Sequence, residues 1–289
     1  MTTRIVVHQD DVGMCHGANV AFVELSRAGT ITCGSAMVPC PWFGEIAALA
    51  AADESLDLGV HLTLTAEKEH YRWRPLTGAS RAGGLTDDSG HFWRDVASVR
   101  RNADPDAVEA ELRAQLEAAF AAGIDVTHLD AHMGTALAPE LGELYVRLAA
   151  EHDLPVLLTR RLADYGPGDH LSGAAEEQYA PLVDAARADR QQLFAEVRET
   201  PWDRRPDEPA APVYEAMFAD VPEGLTFLAL HPNAPGELEA IEPATAHIRI
   251  AEYELFGSPE WASWLATQDV ELVGMRTLRD ELRASRDER

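Results

Sequence analysis

The first hydrophobic run of the chain, Ile5-Val6-Val7-His8-Gln9, ends in Asp10-Asp11-Val12-Gly13. Two adjacent carboxylates repel each other, and a strand entering the core tolerates them only where a cation, a shared proton or water offsets the charge. Three further apolar runs carry similar groups: His61 in GVHLTLT, His128, Asp130 and His132 in VTHLDAH, and His231 in LALHPNAPGE. The chain has 11 histidines, so their recurrence at the ends of such runs is selective. A single strand-end histidine is more often a hydrogen-bonded structural residue, and Asp10-Asp11 alone could be an exposed turn or the cap of a helix starting near Gly17. His128, Asp130 and His132 are different, because alternation along a strand places all three on one side, where packing does not explain them.

The elements that must position these groups alternate. Candidate strands lie at 4–8, 31–38, 57–64, 126–130, 155–158, 225–230 and 270–273, with helical stretches near 17–28, 42–53, 105–122, 139–152, 174–198, 242–256, 259–267 and 276–287. Strand followed by helix, repeated along the chain, predicts one α/β domain over 1–289 with a parallel sheet, open or closed into a barrel. In such folds sites form at the carboxyl ends of the strands, where the Asp and His residues above would converge. Long loops are expected near 65–104 and 159–212, the second interrupted by the 174–198 helix; loops of that length commonly serve binding. The aromatics of the first loop, Tyr71, Trp73, Phe92 and Trp93, are candidates to stack on a ligand ring or to pack the loop against itself.

Composition narrows the function. There are 24 Lys and Arg against 49 Asp and Glu, a net charge of −25, which disfavours a nucleic-acid partner. No run approaches the roughly 18 apolar residues of a membrane span, and the N-terminus lacks a secretory signal, so a cytoplasmic location is expected. The three cysteines, Cys15, Cys33 and Cys40, form no metal-binding or disulfide spacing.

On an extended backbone adjacent aspartates point to opposite faces, which suggests that one carboxylate ligates a metal while the other acts as a base. Two histidines and one carboxylate would leave coordination positions open, as a hydrolytic site needs.

These blocks resemble the YdjC-like carbohydrate deacetylases. The family's Asp-Asp-Phe-Gly and Gly-x-Asn correspond to Asp10–Gly13 and Gly17-Ala18-Asn19, and its Gly-x-[IV]-Thr-Ser stretch is approximated within AGTITCGSAMV. Its Gly-x-His-x-x-Leu-Thr appears as Gly59–Thr65, its Thr-His-x-Asp-x-His as Thr127–His132, and its late His-Pro-Gly is echoed by His231-Pro232 with Gly236 displaced. Arg249–Leu255 loosely matches a following Arg-x-x-Glu segment. The resemblance implies an irregular (β/α) barrel like that of polysaccharide deacetylases, and one divalent ion, magnesium or zinc, on Asp11, His61 and His132. It implies Asp10 as base and His231 as the acid that protonates the leaving amine. His128, Asp130, Arg249, Trp73 and Trp93 are then expected to support the ligands or touch an N-acetylated saccharide, and a homodimer is compatible with the family. The chain departs from the family after His132, where Met133–Pro139 replaces a histidine-rich run. That departure keeps two alternatives in play: a metal-dependent deacylase of a non-sugar amide or ester, and an inactive metal-binding homologue.

Overall fold

A computed structural model describes residues 3–78, 81–165 and 174–287. Residues 79–80 and 166–173, inside the two expected loops, lie outside the described residues.

The strands are β1 (Thr3–Val12), β2 (Cys33–Ala36), β3 (Leu58–Leu62), β4 (Leu129–Ala131), β5 (Glu196–Glu199), β6 (Gly224–Leu230) and β7 (Glu271–Leu272). All their pairings are parallel, in the order β4-β3-β2-β1-β6-β5, and β7 pairs with the start of β1. β1 runs through the centre because Ile5, Val6 and Val7 are β-branched and fully buried. Two single bridges, Leu129↔Val156 and Thr159↔Phe194, carry hydrogen bonding from β4 through the 155–160 segment to the chain entering β5. The parallel sheet that the alternation predicts therefore curls into an irregular barrel, as the resemblance implies.

The helices are α1 (His16–Ala28), α2 (Phe43–Ala52), α3 (Val96–Asn102), α4 (Pro105–Ala121), α5 (Gly142–Glu151) and α6 (Glu176–Ala188). They continue with α7 (Ala210–Ala216), α8 (Leu238–Ile241), α9 (Ala246–Phe256), α10 (Pro259–Leu265) and α11 (Met275–Asp287). Their starts follow local chemistry. Asp104 caps α4 by accepting from the Asp106 and Ala107 amides, with Pro105 in the first turn. Ser258 caps α10 by accepting from the Trp261 amide, ahead of Pro259.

One element differs in kind from the expectation. The helix predicted over 174–198 stops at Ala188, and Glu196–Glu199 is a strand aligned with Thr226–Ala229 of β6. Three of the four residues of β5 are charged, so its apolar signal is a single Val197; pairing with β6 overrides local preference. The stretch predicted at 242–256 divides into α8 and α9.

The 65–104 loop is a packed layer. Thr65 bridges Trp93 and Thr86 bridges Phe92, Phe92 is fully buried, and the Trp73 indole donates to the Thr65 carbonyl at 2.8 Å. Glu111 of α4 accepts from the Leu76 and Thr77 amides and clamps the far side of the loop.

Candidate metal centre and catalytic site

The strand that carries the two aspartates does not stay extended. Between Gln9 and Val12 its register against β2 shifts, and Asp11 adopts φ +60°. This bulge turns the second carboxylate, so Asp10 and Asp11 both line one cavity instead of facing opposite sides. Asn19, third of the Gly-x-Asn triplet, holds the bend by accepting from the Gly13 amide at 2.8 Å. Gly17 is needed there because a Cβ would sit 2.5 Å from the Ala234 carbonyl.

Asp11 Oδ1 lies 3.1 Å from His132 Nδ1 and 3.6 Å from His61 Nε2. These three ligand atoms lie within 4.8 Å of one another on buried residues. The same Oδ1 is buried without a hydrogen-bond partner, while Arg249 Nη1 donates to Oδ2 at 2.7 Å. The other ring nitrogens are engaged. His61 Nδ1 is 2.9 Å from Asp130 Oδ1, with Ser35 Oγ also on Asp130, and His132 Nε2 is 3.0 Å from Glu67 Oε2. Carboxylates behind both imidazoles fix the rings and leave their inner nitrogens for a cation. An orphaned carboxylate oxygen facing two histidine nitrogens suits a divalent ion with open coordination positions.

The two aspartates are driven apart electrostatically. Burial raises Asp11, but Arg249 and His132 outweigh it and hold the carboxyl well below its ordinary range. Burial dominates at Asp10 and lifts its carboxyl above the usual value, against the lowering by His8, whose Nδ1 is 2.6 Å from Asp10 Oδ1. Asp11 is thus a fixed anion, suited to ligation, and Asp10 is proton-responsive, suited to a base. His132 shows how anionic the centre is: burial opposes its charge, yet Glu67 and Asp11 lift it to about 10.

Beneath Asp10, His8 Nε2 meets His128 Nε2 at 3.0 Å and Asp130 Oδ2 at 3.5 Å, all fully or almost fully buried. Burial and the neighbouring His8 push His128 down to about 3, so it is a neutral partner in this chain. Across the cavity, His231 Nε2 is 3.7 Å from Asp10 Oδ2, and Nδ1 is 2.8 Å from Thr200 Oγ1. Thr200 donates in turn to Glu252, which also accepts from Tyr214 and the His231 amide. Burial and the Arg249 charge hold His231 well below the usual histidine range.

The structure brings together every strand-end group singled out by sequence: Asp10, Asp11, His61, His132 and His231 line the cavity with Arg249 from α9, and His128 and Asp130 lie directly behind. It does not bring Trp73 or Trp93 into the cavity. The Trp73 ring lies edge-on to His132 at 6.1 Å and the Trp93 indole donates to the Gly84 carbonyl, so both pack the loop. The aromatic groups that do line it are Tyr165 and Trp202. Sequence reasoning missed Glu67, Lys68 and Glu242, which form a paired rim with Arg249: Lys68 Nζ is 2.6 Å from Glu242 and 3.0 Å from Glu67, and Arg249 Nε is 3.3 Å from Glu242. No spacing announces them, because they come from loops. His8 was missed as well, although alternation places it on the same side of the strand as Asp10 and could have found it.

A family model described as "YdjC-like protein" matches residues 4–267. The chain belongs to the YdjC-like family. It is 39% identical over 162 residues to a carbohydrate deacetylase of Thermus thermophilus, a stretch covering 56% of this chain and 56% of that protein. It is 33% identical over 153 residues to one of Brevibacillus brevis, covering 53% and 58%. These matches therefore span little more than half the length of those relatives. A carbohydrate deacetylase of Listeria monocytogenes is 26% identical over 280 residues, covering 95% of this chain and all of the relative. In fold, the chain is similar to a crystal structure of a proposed cellobiose-phosphate cleavage protein from Enterococcus faecalis, with TM-score 0.74 and 20% identity, over 96% of this chain and 99% of that one. Among the described residues, no helix of this family member is long and apolar enough to cross a membrane.

Proposed function

We propose that the chain is a single catalytic unit that hydrolyses the acetamido group of an N-acetylated sugar or oligosaccharide with the help of one divalent cation. The observation that carries this reading is the orphaned Asp11 Oδ1 facing His61 Nε2 and His132 Nδ1, with Asp10 beside it and the names of the curated relatives pointing to sugar deacetylation. A cation on those three residues would act as a Lewis acid on the amide carbonyl and acidify water. Magnesium and zinc both remain compatible with this donor set; two imidazoles favour zinc.

The chain's own residues supply the rest. Asp10, whose carboxyl sits above its ordinary value, accepts the proton of the attacking water, and His8 on its Oδ1 fixes the carboxylate so that Oδ2 faces His231. His231 is neutral at rest. The proton it delivers to the leaving nitrogen is therefore the one Asp10 has removed, passed across the 3.7 Å that separates them. Water adds to the carbonyl carbon, the C–N bond breaks, and acetate and the free amine leave. Thr200 and Glu252 keep the His231 ring aimed at the cavity.

Purified protein, stripped of metal and reloaded with magnesium, zinc or manganese, is to be screened against N-acetylated saccharides by acetate release. Turnover that a chelator abolishes and a cation restores is the expected result. Hydrolysis of simple acyl esters or non-sugar amides in preference to every saccharide would replace it with the deacylase alternative. No turnover of any acyl substrate would indicate an inactive homologue.

A further inference from the structure

The strands around the barrel mouth divide the cavity, of about 330 Å³, into two contiguous arcs. The polar arc comprises Asp10 and Asp11 from β1, His61 from β3 and His132 just after β4, joined by the Glu67, Lys68, Glu242 and Arg249 rim. Beyond His132 the chemistry changes. The turn after β4 contributes Met133 and Leu137, the bridged 155–160 segment Leu157, the following turn Tyr165, and β5 Val197, before the ring reaches His231 after β6. Trp202 stands at the mouth, 36% exposed, 4.7 Å ring to ring from His231. Glu199, at the end of β5, is the one charged group of this arc among the described residues.

We propose that this apolar arc is a subsite for an aliphatic or aromatic substituent carried by the saccharide, either an N-acyl chain longer than acetyl or an aglycone. The inference rests on the deacetylase reading and narrows its substrate class. A sugar ring and an acetyl group present hydroxyls, an amide and one methyl. Hydroxyls set against Met133, Leu137, Leu157 and Val197 would lose water without gaining hydrogen bonds. An alkyl or aryl group loses nothing there and gains both the removal of its surface from water and dispersion contacts. The reactive groups lie at both borders of the arc, His132 at one and His231 at the other, so a substituent seated in it stays attached to the reacting amide. Lys68 and Arg249, the basic side chains of the polar arc, are already paired with Glu67, Glu242 and Asp11.

The test compares kcat/KM for N-acetyl-, N-butanoyl- and N-hexanoylglucosamine, and separately for N-acetylglucosamine and its phenyl and hexyl glycosides. Each methylene that enters the arc is expected to raise kcat/KM about fourfold. A gain in the first series assigns the acyl chain and a gain in the second the aglycone; N-acetylglucosamine outperforming both series overturns the subsite while leaving the deacetylase reading standing. Leu157→Asn and Leu137→Asn, checked for retained metal stoichiometry, are expected to cut the gain about tenfold or more. Calorimetry with octyl and methyl glucoside decides the matter without turnover. Binding of the octyl compound should be tighter by about tenfold or more, with a negative heat-capacity change. Equal affinities would overturn the subsite. Preferential octyl binding without hydrolysis of any N-acyl sugar would keep it and sink the deacetylase reading instead.

Discussion

Replacing Glu67 by Gln should change how steeply cation binding depends on pH. In the cation-free protein His132 is lifted to about 10 by Glu67 and Asp11 against the effect of burial, so at neutral pH its ring carries a proton. Ligation needs the neutral ring, and the proton must leave. At pH 7 this competition spans 10 − 7 = 3 units, about 4 kcal/mol at ~1.36 kcal/mol per unit. Apparent affinity should therefore rise about tenfold per pH unit through neutrality, with at least one proton released per cation bound. In Glu67→Gln the loss of one carboxylate brings His132 back towards its ordinary value, and much of the pH dependence disappears. The variant also loses the partner that orients the ring, which costs roughly 10–100-fold in affinity. These effects oppose each other: the variant should match or exceed the parent near pH 7 and fall behind it as pH approaches 9. Titration calorimetry from pH 6 to 9, in two buffers of different ionisation enthalpy, measures both affinity and proton count. A parent protein that binds with no proton release and no pH dependence would refute the reasoning, because His132 would then be neutral and uncoupled from Glu67.

Other perturbations separate the roles of neighbouring residues. Asp10→Asn should retain stoichiometric metal by elemental analysis while turnover falls by roughly 10²–10⁴-fold, the usual scale for a lost general base; loss of metal would exchange the roles of the two aspartates. Glu252 is pushed up to about 7 by burial, from 4.5, so the folded state holds its proton more tightly than the unfolded chain does. Stability should then be highest below about pH 4.5 and decline as pH rises to about 7, by up to ~3 kcal/mol for this group, and Glu252→Gln should flatten that decline in urea titrations. A Cβ at Gly59 would sit 2.5 Å from the His128 ring and 2.7 Å from its carbonyl oxygen, in the residue that leads into the neighbouring strand β4. Gly59→Ala should therefore cost about 1–3 kcal/mol of unfolding free energy by forcing β3 and β4 apart, and an unchanged urea midpoint would show that the strands yield freely.

The sequence by itself determined the strand–helix alternation, the parallel sheet and the identity of the strand-end groups; the sheet's closure through the 155–160 segment was settled by the structure. Periodicity and strand-end position are local properties, and one parallel sheet sends every strand's carboxyl end to the same side. That is why Asp10, Asp11, His61, His132 and His231, distant in the chain, could be read as one site. Only the tertiary structure decided the rest. The bulge at Asp11 turns both aspartates into the cavity, although an extended strand would have parted them, and it depends on pairing with β2 and the bond from Gly13 to Asn19. β5 was invisible because charged residues form a strand here only through their partner β6. Glu67, Lys68 and Glu242 escaped notice since loop residues acquire a role from where the loop is pinned, and no spacing encodes that. Trp73 and Trp93 show the converse: residue types suited to a sugar were used to hold the loop, because their indole donors found backbone carbonyls inside it. Residue type and local period say which chemistry is available; long-range packing sets which groups share a cavity, and at what charge.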